Sequence, residues 1–154
     1  MRNHEDQDLV ERIAGRLESS GRTLAIAESL TCGRLVSALG RGSDTKTWLR
    51  GGIVAYQSEV KQRVLGVTPG PVITARCAEE LAIGAARLFA ADVTIATTGA
   101  GGPGAEEGEP AGTVYLGWSV GGDVGSTRYD FNGDPDHILS QTVNAALQQL
   151  EMLV

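Results

Sequence analysis

Residues 23–39 read TLAIAESLTCGRLVSAL, and this stretch decides the fold. Its first five residues form a short apolar run that is typical of a buried strand. A polar connection, Glu28-Ser29-Leu30-Thr31-Cys32-Gly33, follows, and a helical stretch then continues through Leu39. A strand that leads through a short loop into a helix is the repeating unit of α/β domains, so the rest of the chain should alternate in the same way.

The remaining residues do alternate between helical and extended patterns. Further helices are predicted at residues 8–19, 58–65, 74–89 and 135–152, and further strands at residues 51–56, 92–97, 113–119 and 126–131. Gly121-Gly122-Asp123 predicts a hairpin turn between the last two strands, so one late strand should be antiparallel. We therefore predict a three-layer α/β/α sandwich with a mixed, mostly parallel sheet of about five strands.

Length and composition predict a single domain over residues 1–154, with residues 1–7 expected to be flexible. The net charge of −6 argues against a nucleic-acid-binding surface, because phosphate backbones require a basic face. No apolar run approaches the roughly 18 residues of a membrane span, and the polar N-terminus does not resemble a signal peptide. Two cysteines without metal-ligand spacing fit a reduced, cytoplasmic setting, and the apolar helices are compatible with a homo-oligomer.

Three polar segments follow the first three predicted strands, at residues 28–33, 56–61 and 98–104. Open α/β sheets bind ligands beyond the carboxyl ends of their strands, so these segments should converge at one edge. The third begins a Gly-rich loop, TGAGGPG, which could wrap a phosphate or a ribose. It is neither a P-loop nor a dinucleotide fingerprint, because no Gly-Lys-Ser/Thr follows and no helix opens directly after it.

Ser29 is the candidate nucleophile of this edge. It lies between a strand and a helix, where a hydroxyl can be presented to a substrate and the helix-start amides can form an oxyanion hole or a phosphate cradle. The alternative is that Ser29 or Thr31 is only the N-cap of the helix. Position alone does not decide between the two.

Lys61 is the candidate base for Ser29. The chain has only two histidines, His4 near the N-terminus and His137 in the last helix, so a Ser-His-Asp triad is not expected. With Ser58 as the N-cap, Lys61 would be the third residue of its helix, where the helix dipole lowers a lysine pKa. Tyr56 could relay the proton or orient the lysine. The alternatives are a solvated lysine and a packed tyrosine.

Cys32 and the acidic stretch at residues 106–109 each have a structural explanation as well as a functional one. Cys32 near a helix start could be a reactive thiol, but a buried small hydrophobe is the more common case. The acidic stretch Glu106, Glu107 and Glu109 is expected to be solvated and not to bind a metal, since no histidine cluster accompanies it. No metal site is predicted.

Taken together, the motifs resemble the CinA C-terminal-domain family, whose enzymatic members are nicotinamide mononucleotide deamidases. The matching stretches are TLAIAESLTCGRLVSAL (23–39), GGIVAYQSEVKQRVLGV (51–67), AEELAIGA (78–85), ADVTIATTGAGGPG (91–104), PAGTVYLG (110–117) and FNGD (131–134). They follow the family's order and span about residues 23–148. The family fold is a three-layer α/β/α sandwich, which agrees with the pattern-based prediction.

The resemblance implies an amidohydrolase that converts nicotinamide mononucleotide to nicotinate mononucleotide and ammonia in pyridine-nucleotide salvage. Its serine, tyrosine and lysine match Ser29, Tyr56 and Lys61. The residues that the resemblance places on the substrate are Glu28, Thr31, Gly33, Thr98, Gly99 and Gly102. The expected partner is a small nucleotide, and no metal or organic cofactor is implied.

Three positions depart from the family pattern. Cys32 stands where glycine is usual, and Pro135 and Leu139 stand where arginines are common after F-x-G-D. If an arginine holds the substrate phosphate, it is missing here, and Arg128 on the preceding strand is the candidate substitute. The alternatives are an amidase for a related amide that lacks the phosphate, and a catalytically weak domain that binds a nucleotide or a protein.

Overall fold

The computed structural model describes the backbone of residues 2–154 and the side chains of residues 4–154. Helices and strands alternate along the chain as predicted. The helices are α1 (Arg2–Ser20), α2 (Arg34–Leu39), α3 (Thr45–Trp48), α4 (Ser58–Leu65), α5 (Ala75–Phe89) and α6 (Pro135–Leu153). The strands are β1 (Leu24–Glu28), β2 (Leu49–Val54), β3 (Val93–Gly99), β4 (Thr113–Val120) and β5 (Asp123–Asp130).

The five strands form one mixed sheet in the order β2-β1-β3-β4-β5. β1 pairs in parallel with both β2 and β3, as expected when helices connect the strands. β4 pairs antiparallel with β3 and with β5, so β4 is the strand that runs against the others. The prediction of three parallel strands followed by one reversed strand is confirmed. Gly121 and Gly122, at φ 56° and 95°, form the tight turn between β4 and β5.

Helices cover both faces of the sheet, which confirms the predicted α/β architecture. One face packs against α1, α2 and α6, with Leu24 and Ile26 of β1 in its core. The other face packs against α4 and α5, with Ala27 of β1 in its core. The change of face between Ile26 and Ala27 is the alternation of side chains along a strand.

Two glycines let α5 approach its neighbours closely. A Cβ at Gly84 would lie 2.2 Å from the carbonyl oxygen of Leu65 at the end of α4. A Cβ at Gly117 of β4 would lie 2.1 Å from the carbonyl oxygen of Ala78 in α5. Both spacings are far inside van der Waals contact, so any side chain there would push α5 away from its position over the sheet.

Several boundaries differ from the predictions. Helix α1 begins at Arg2 and not at residue 8. The expected flexibility of residues 1–7 stays a prediction, and residue 1 lies outside the described residues. The short helix α3 was not predicted. Leu88, which the 3.6-residue pattern places on the buried face of α5, is 48% exposed. Within residues 2–154, none of the helices is both long and apolar enough to cross a membrane.

Candidate active site

The carboxyl ends of β1, β2 and β3 meet at one edge of the sheet, as the sequence predicts. The last parallel pair of β1 and β2 is Glu28 with Val54. One more ladder hydrogen bond follows, from the Ala55 N–H to the Glu28 carbonyl oxygen at 2.8 Å. Ser29 is therefore next to the Ala55–Tyr56 step of the neighbouring chain segment.

Ser29 lies in the turn between β1 and α2 and is buried, with 8% of its surface exposed. Its backbone N–H donates to the Thr97 hydroxyl at 3.3 Å. The hydroxyls of Thr97 and Thr31 share a hydrogen bond of 2.9 Å. Thr97 thus ties the Ser29–Thr31 turn to the end of β3. Thr97 was not predicted from the sequence. The Thr97-Thr98 pair at a strand end was a signal, since the two side chains must face opposite sides of the sheet.

Glu28 holds the start of helix α2. Its two carboxylate oxygens accept from the N–H groups of Leu35 and Val36 at 2.9 and 3.0 Å. The N-cap position itself is Gly33, in a left-handed conformation at φ 96° and without a side-chain cap. The alternative in which Ser29 or Thr31 caps α2 is therefore wrong. The predicted substrate residue Glu28 uses both oxygens inside the protein, so its structural role is capping.

Backbone donors remain at the turn after Ser29. In the part of the chain that the structure describes, the N–H groups of Leu30 and Thr31 make no hydrogen bond to another protein group. They lie directly after the serine and before the N-terminus of α2. Such amides can stabilise an oxyanion that forms on a carbonyl attacked by Ser29.

Lys61 is a buried lysine, with 1% of its surface exposed. Its ammonium group donates to the carbonyl oxygen of Tyr56 at 2.7 Å. Burial lowers the Lys61 pKa from its usual value of 10.5, and the Cys77, Glu107 and Glu106 side chains oppose that shift. The alternative of a solvated lysine is wrong. A lysine with a lowered pKa is a candidate base.

The position of Lys61 in its helix also differs from the prediction. Gln57, not Ser58, is the N-cap of α4, so Lys61 is the fourth helical residue and not the third. The first cause of its pKa shift is burial and not the helix dipole. Among the described residues, no hydrogen bond joins Lys61 to Ser29; catalytic hydrogen bonds often form only when a substrate is bound.

Tyr56 and Cys77 flank Lys61 in different ways. The Tyr56 side chain is 66% exposed, so the alternative of a packed tyrosine is wrong, and its carbonyl is the group that contacts the lysine. Cys77 of α5 is fully buried, and burial raises the pKa of its thiol to about 11. Cys77 therefore stays a neutral thiol near pH 7, and no local motif pointed to it.

Cys32 differs from the expected buried residue. Its thiol is exposed, and its backbone is left-handed at φ 48°, a conformation that side chains with a Cβ rarely adopt. Cys32 therefore places a strained residue three positions after Ser29.

The third site segment spans the end of β3 and the loop after it. The Thr98 hydroxyl donates to the Val72 carbonyl oxygen at 2.7 Å. Gly99 packs against β4, because a Cβ there would lie 2.6 Å from the Thr113 carbonyl oxygen. Gly102, at φ 83°, lies deeper in the loop. Thr98 and Gly99 therefore fix the loop to its surroundings at the point where it leaves the sheet.

Pro135 and Leu139, where the family resemblance implies arginines, lie beside this loop. A Cβ at Gly102 would be 3.6 Å from Cγ of Pro135, and one at Gly101 would be 3.9 Å from Cδ2 of Leu139. Both positions thus present apolar atoms to a predicted substrate segment.

The arginines near this end of the molecule already have carboxylate partners. Arg128 contacts Asp130 at 3.1 Å and Glu109 at 3.7 Å, and its guanidinium lies 5.8 Å from the centre of the Tyr115 ring. Arg34 pairs with Asp136 at 2.9 Å. Arg128, the candidate substitute for the missing arginines, would have to leave these partners to hold a phosphate.

The acidic stretch is exposed at Glu106 and Glu107, as expected of solvated side chains, and it also makes contacts within the protein. Glu107 accepts hydrogen bonds from backbone N–H groups, and Glu109 contacts Arg128. Within the described residues, no group of three or more histidine, cysteine or acidic side chains could hold a metal ion.

A groove of about 620 Å³ lies elsewhere, on α1, α2 and α6, and none of Ser29, Tyr56 and Lys61 lines it.

Sequence comparisons match almost the whole chain to one family. Residues 6–154 match the CinA C-terminal domain. Protein YdeJ of Escherichia coli strain K12 is 36% identical over 154 residues, which cover 96% of this chain and 90% of that protein. A competence-damage inducible protein of Desulforamulus reducens is also 36% identical, over 94% of this chain but only 36% of its own length. The chain therefore spans about a third of that longer relative.

Solved structures agree in fold. The crystal structure of a competence-damaged protein (CinA) superfamily protein from Escherichia coli superposes with a TM-score of 0.93 at 35% identity, covering 97% of this chain and 90% of the other. A CinA superfamily protein from Klebsiella pneumoniae 700603 gives a TM-score of 0.91 at 34% identity, covering 96% of each chain. The architecture described above is thus also found in crystal structures.

Proposed function

Because this chain belongs to the CinA C-terminal-domain family, we propose that it is an amidohydrolase that converts nicotinamide mononucleotide to nicotinate mononucleotide and ammonia. The observation that carries the proposal is the buried Lys61, whose pKa is lowered by burial and which follows β2 at the same sheet edge as Ser29. A lysine is almost never fully buried unless it is paired, and a buried lysine with a lowered pKa beside a polar sheet edge is a candidate catalytic base.

The proposed reaction begins with proton transfer from Ser29 to Lys61. A neutral Lys61 amine takes the hydroxyl proton while the Ser29 oxygen attacks the carboxamide carbon. Lys61 and Ser29 move within hydrogen-bond reach of each other when the substrate is bound. The Leu30 and Thr31 N–H groups donate to the oxyanion of the tetrahedral intermediate.

The intermediate then collapses to an ester on Ser29. Lys61 returns its proton to the departing nitrogen, which leaves as ammonia. Water attacks the ester, with Lys61 again taking a proton, and the carboxylate product leaves as the serine is restored. The scheme uses no metal or organic cofactor. Tyr56 supports it through its carbonyl contact with the lysine, and its exposed ring is free to contact the nicotinamide end.

The loop after β3 is proposed to hold the ribose and phosphate. Gly99 and Gly102 allow a close backbone approach, and Thr98 fixes the start of the loop. The proposed setting is cytoplasmic pyridine-nucleotide salvage with a small nucleotide as the partner.

A second candidate substrate is a related amide that lacks the phosphate. Pro135 and Leu139 favour it, because they place apolar groups beside Gly101 and Gly102, where the family commonly has arginines. A third candidate is a catalytically weak nucleotide- or protein-binding domain, and the missing hydrogen bond between Ser29 and Lys61 in the described residues favours it.

The proposal is tested by measuring ammonia and nicotinate mononucleotide from purified protein, with Ser29→Ala and Lys61→Met variants beside it. We expect turnover that both variants lose while they stay folded. Turnover of the riboside alone would support the second candidate. Stabilisation by the mononucleotide without turnover would support the third.

A further inference from the structure

The acidic stretch forms a tight turn at the tip of the loop that joins β3 to β4. Glu106 and Glu109 exchange two backbone hydrogen bonds, of 3.0 and 2.8 Å. Between them, Glu107 and Gly108 both have positive φ, 54° and 77°. A left-handed conformation is unremarkable for glycine but unfavourable for glutamate, and such strain persists only where surrounding contacts determine it.

The contacts that determine it are made by the Glu107 carboxylate. One oxygen accepts from the Ile73 N–H at 2.7 Å, and both oxygens accept from the Val72 N–H at 3.1 and 3.0 Å. Val72 and Ile73 belong to the connection between α4 and α5, just before the α5 N-cap Thr74. One side chain thus joins two separate connections of the fold by charge-assisted hydrogen bonds.

The segment that Glu107 contacts leads directly to the candidate site. The Val72 carbonyl oxygen accepts from the Thr98 hydroxyl at 2.7 Å. Val72 also packs against the buried cluster that contains Cys77 of α5 and Leu65 of α4, the helix of Lys61. The Val72–Ile73 peptide unit, which donates its N–H to Glu107, therefore lies next to the side chains around the candidate base.

We propose that Glu107 is a positioning residue for the proposed reaction, latching the 100–112 loop onto Val72 and Ile73 so that the loop closes over the Lys61 side of the site. The inference rests on the proposed function. The loop has no other described side-chain hydrogen bond to the α4–α5 connection, so loss of this carboxylate releases the loop tip. Glu107 makes no hydrogen bond to the serine or the lysine. Its carboxylate raises the Lys61 pKa, as that of Glu106 does, and its further effect on turnover passes through the loop and Val72.

Glu106 provides a matched control. It is the neighbouring carboxylate and acts on the Lys61 ammonium in the same direction, but it makes no hydrogen bond to Val72 or Ile73. Glu106→Ala therefore removes the same charge without releasing the latch. Cys77 on α5 and Glu106 and Glu107 on the loop are the titratable groups that raise the Lys61 pKa.

The test compares kcat and KM of Glu107→Ala and Glu106→Ala with nicotinamide mononucleotide across pH. Both variants should move the acid limb of the rate profile to lower pH, because each removes a carboxylate that raises the Lys61 pKa. At the pH plateau, Glu107→Ala should lose about 10-fold or more in kcat/KM, the equivalent of one charge-assisted hydrogen bond, mainly through KM. Glu106→Ala should stay within about 3-fold of the wild type.

A conservative variant separates the latch from a loss of folding. Glu107→Gln keeps an acceptor oxygen at the same reach and should recover several-fold of the kcat/KM lost in Glu107→Ala, with all variants shown by circular dichroism to be folded at the assay temperature. Equal plateau values for Glu107→Ala and Glu106→Ala would overturn the latch while leaving the proposed function intact. A wild type without turnover would instead overturn the proposed function and this inference with it.

Discussion

Glu28→Gln tests how the structure holds the turn that carries Ser29. The wild-type carboxylate is buried, with 1% exposed, and accepts from two backbone N–H groups of α2 at 2.9 and 3.0 Å. Glutamine keeps one acceptor oxygen and turns an NH₂ group toward the second N–H. A hydrogen bond to a charged group contributes about 1.5–3 kcal/mol, and a buried polar group left without a partner costs about 1–3 kcal/mol.

We therefore expect Glu28→Gln to lower the free energy of unfolding by about 3 kcal/mol. For a chain of this size, that loss corresponds to a fall in Tm of roughly 6–12 °C. Urea denaturation at pH 7 measures it as a lower midpoint with an unchanged slope. Glu59→Gln is the matched control, because Glu59 has only an exposed ion pair with Arg63 at 3.4 Å and should give a midpoint close to the wild type.

The same experiment decides between capping and substrate contact for Glu28. Capping predicts a large loss of stability. A midpoint shift as small as that of Glu59→Gln, together with a raised KM, would refute capping by Glu28. It would instead support the substrate contact that the family resemblance implied.

Three further predictions follow from strain, burial and missing charge. Cys32→Gly should raise the free energy of unfolding by about 0.5–1 kcal/mol because it relieves the left-handed strain at φ 48°, whereas Cys32→Ala should not; equal midpoints for the two variants in urea would contradict this. Lys61→Met should melt at a higher temperature than the wild type at pH 7. Because burial lowers the Lys61 pKa in the folded state, the buried ammonium reduces the free energy of unfolding below that pKa. This destabilisation decreases as the pH rises toward 10.5, the usual lysine pKa. A constant difference in Tm between pH 7 and 10 would argue against the burial effect. Pro135→Arg should lower KM for the phosphorylated substrate about 10-fold or more without helping the riboside, and an unchanged KM in steady-state kinetics would mean that the phosphate is bound elsewhere.

The alternation of strands and helices could be predicted because local patterns determine it. Apolar runs and helical spacing located all five strands and five of the six helices, and Gly121-Gly122 located the hairpin. Helix α3 has only four residues, too few for a periodic pattern to identify. The early start of α1 escaped prediction because residues 2–7 lack the apolar spacing that marks the rest of the helix.

The candidate site was only partly predictable, because its decisive contacts join residues far apart in sequence. Chain order alone located Ser29, Tyr56 and Lys61 after neighbouring strands. Whether Lys61 was solvated or buried depended on how α4 packs against α5, which no local pattern specifies.

The supporting residues depend on the same kind of contact. Thr97 and Glu107 act on segments 68 and 34 residues away, and Glu28 reaches α2 across the turn that holds the serine. For each of these polar residues, the neighbouring sequence is equally compatible with a solvent-exposed side chain. The tertiary fold therefore assigns roles that the motifs leave open.

In the proposed reaction, Ser29 attacks a carboxamide with Lys61 as its base. The most direct test is acid quenching of the protein during turnover of nicotinamide mononucleotide, followed by mass spectrometry of its peptides. The proposed reaction predicts a covalent adduct on the peptide containing Ser29, with the mass of the substrate less ammonia, and its absence in Ser29→Ala. Turnover that persists in Ser29→Ala, or an adduct on another residue, would contradict it.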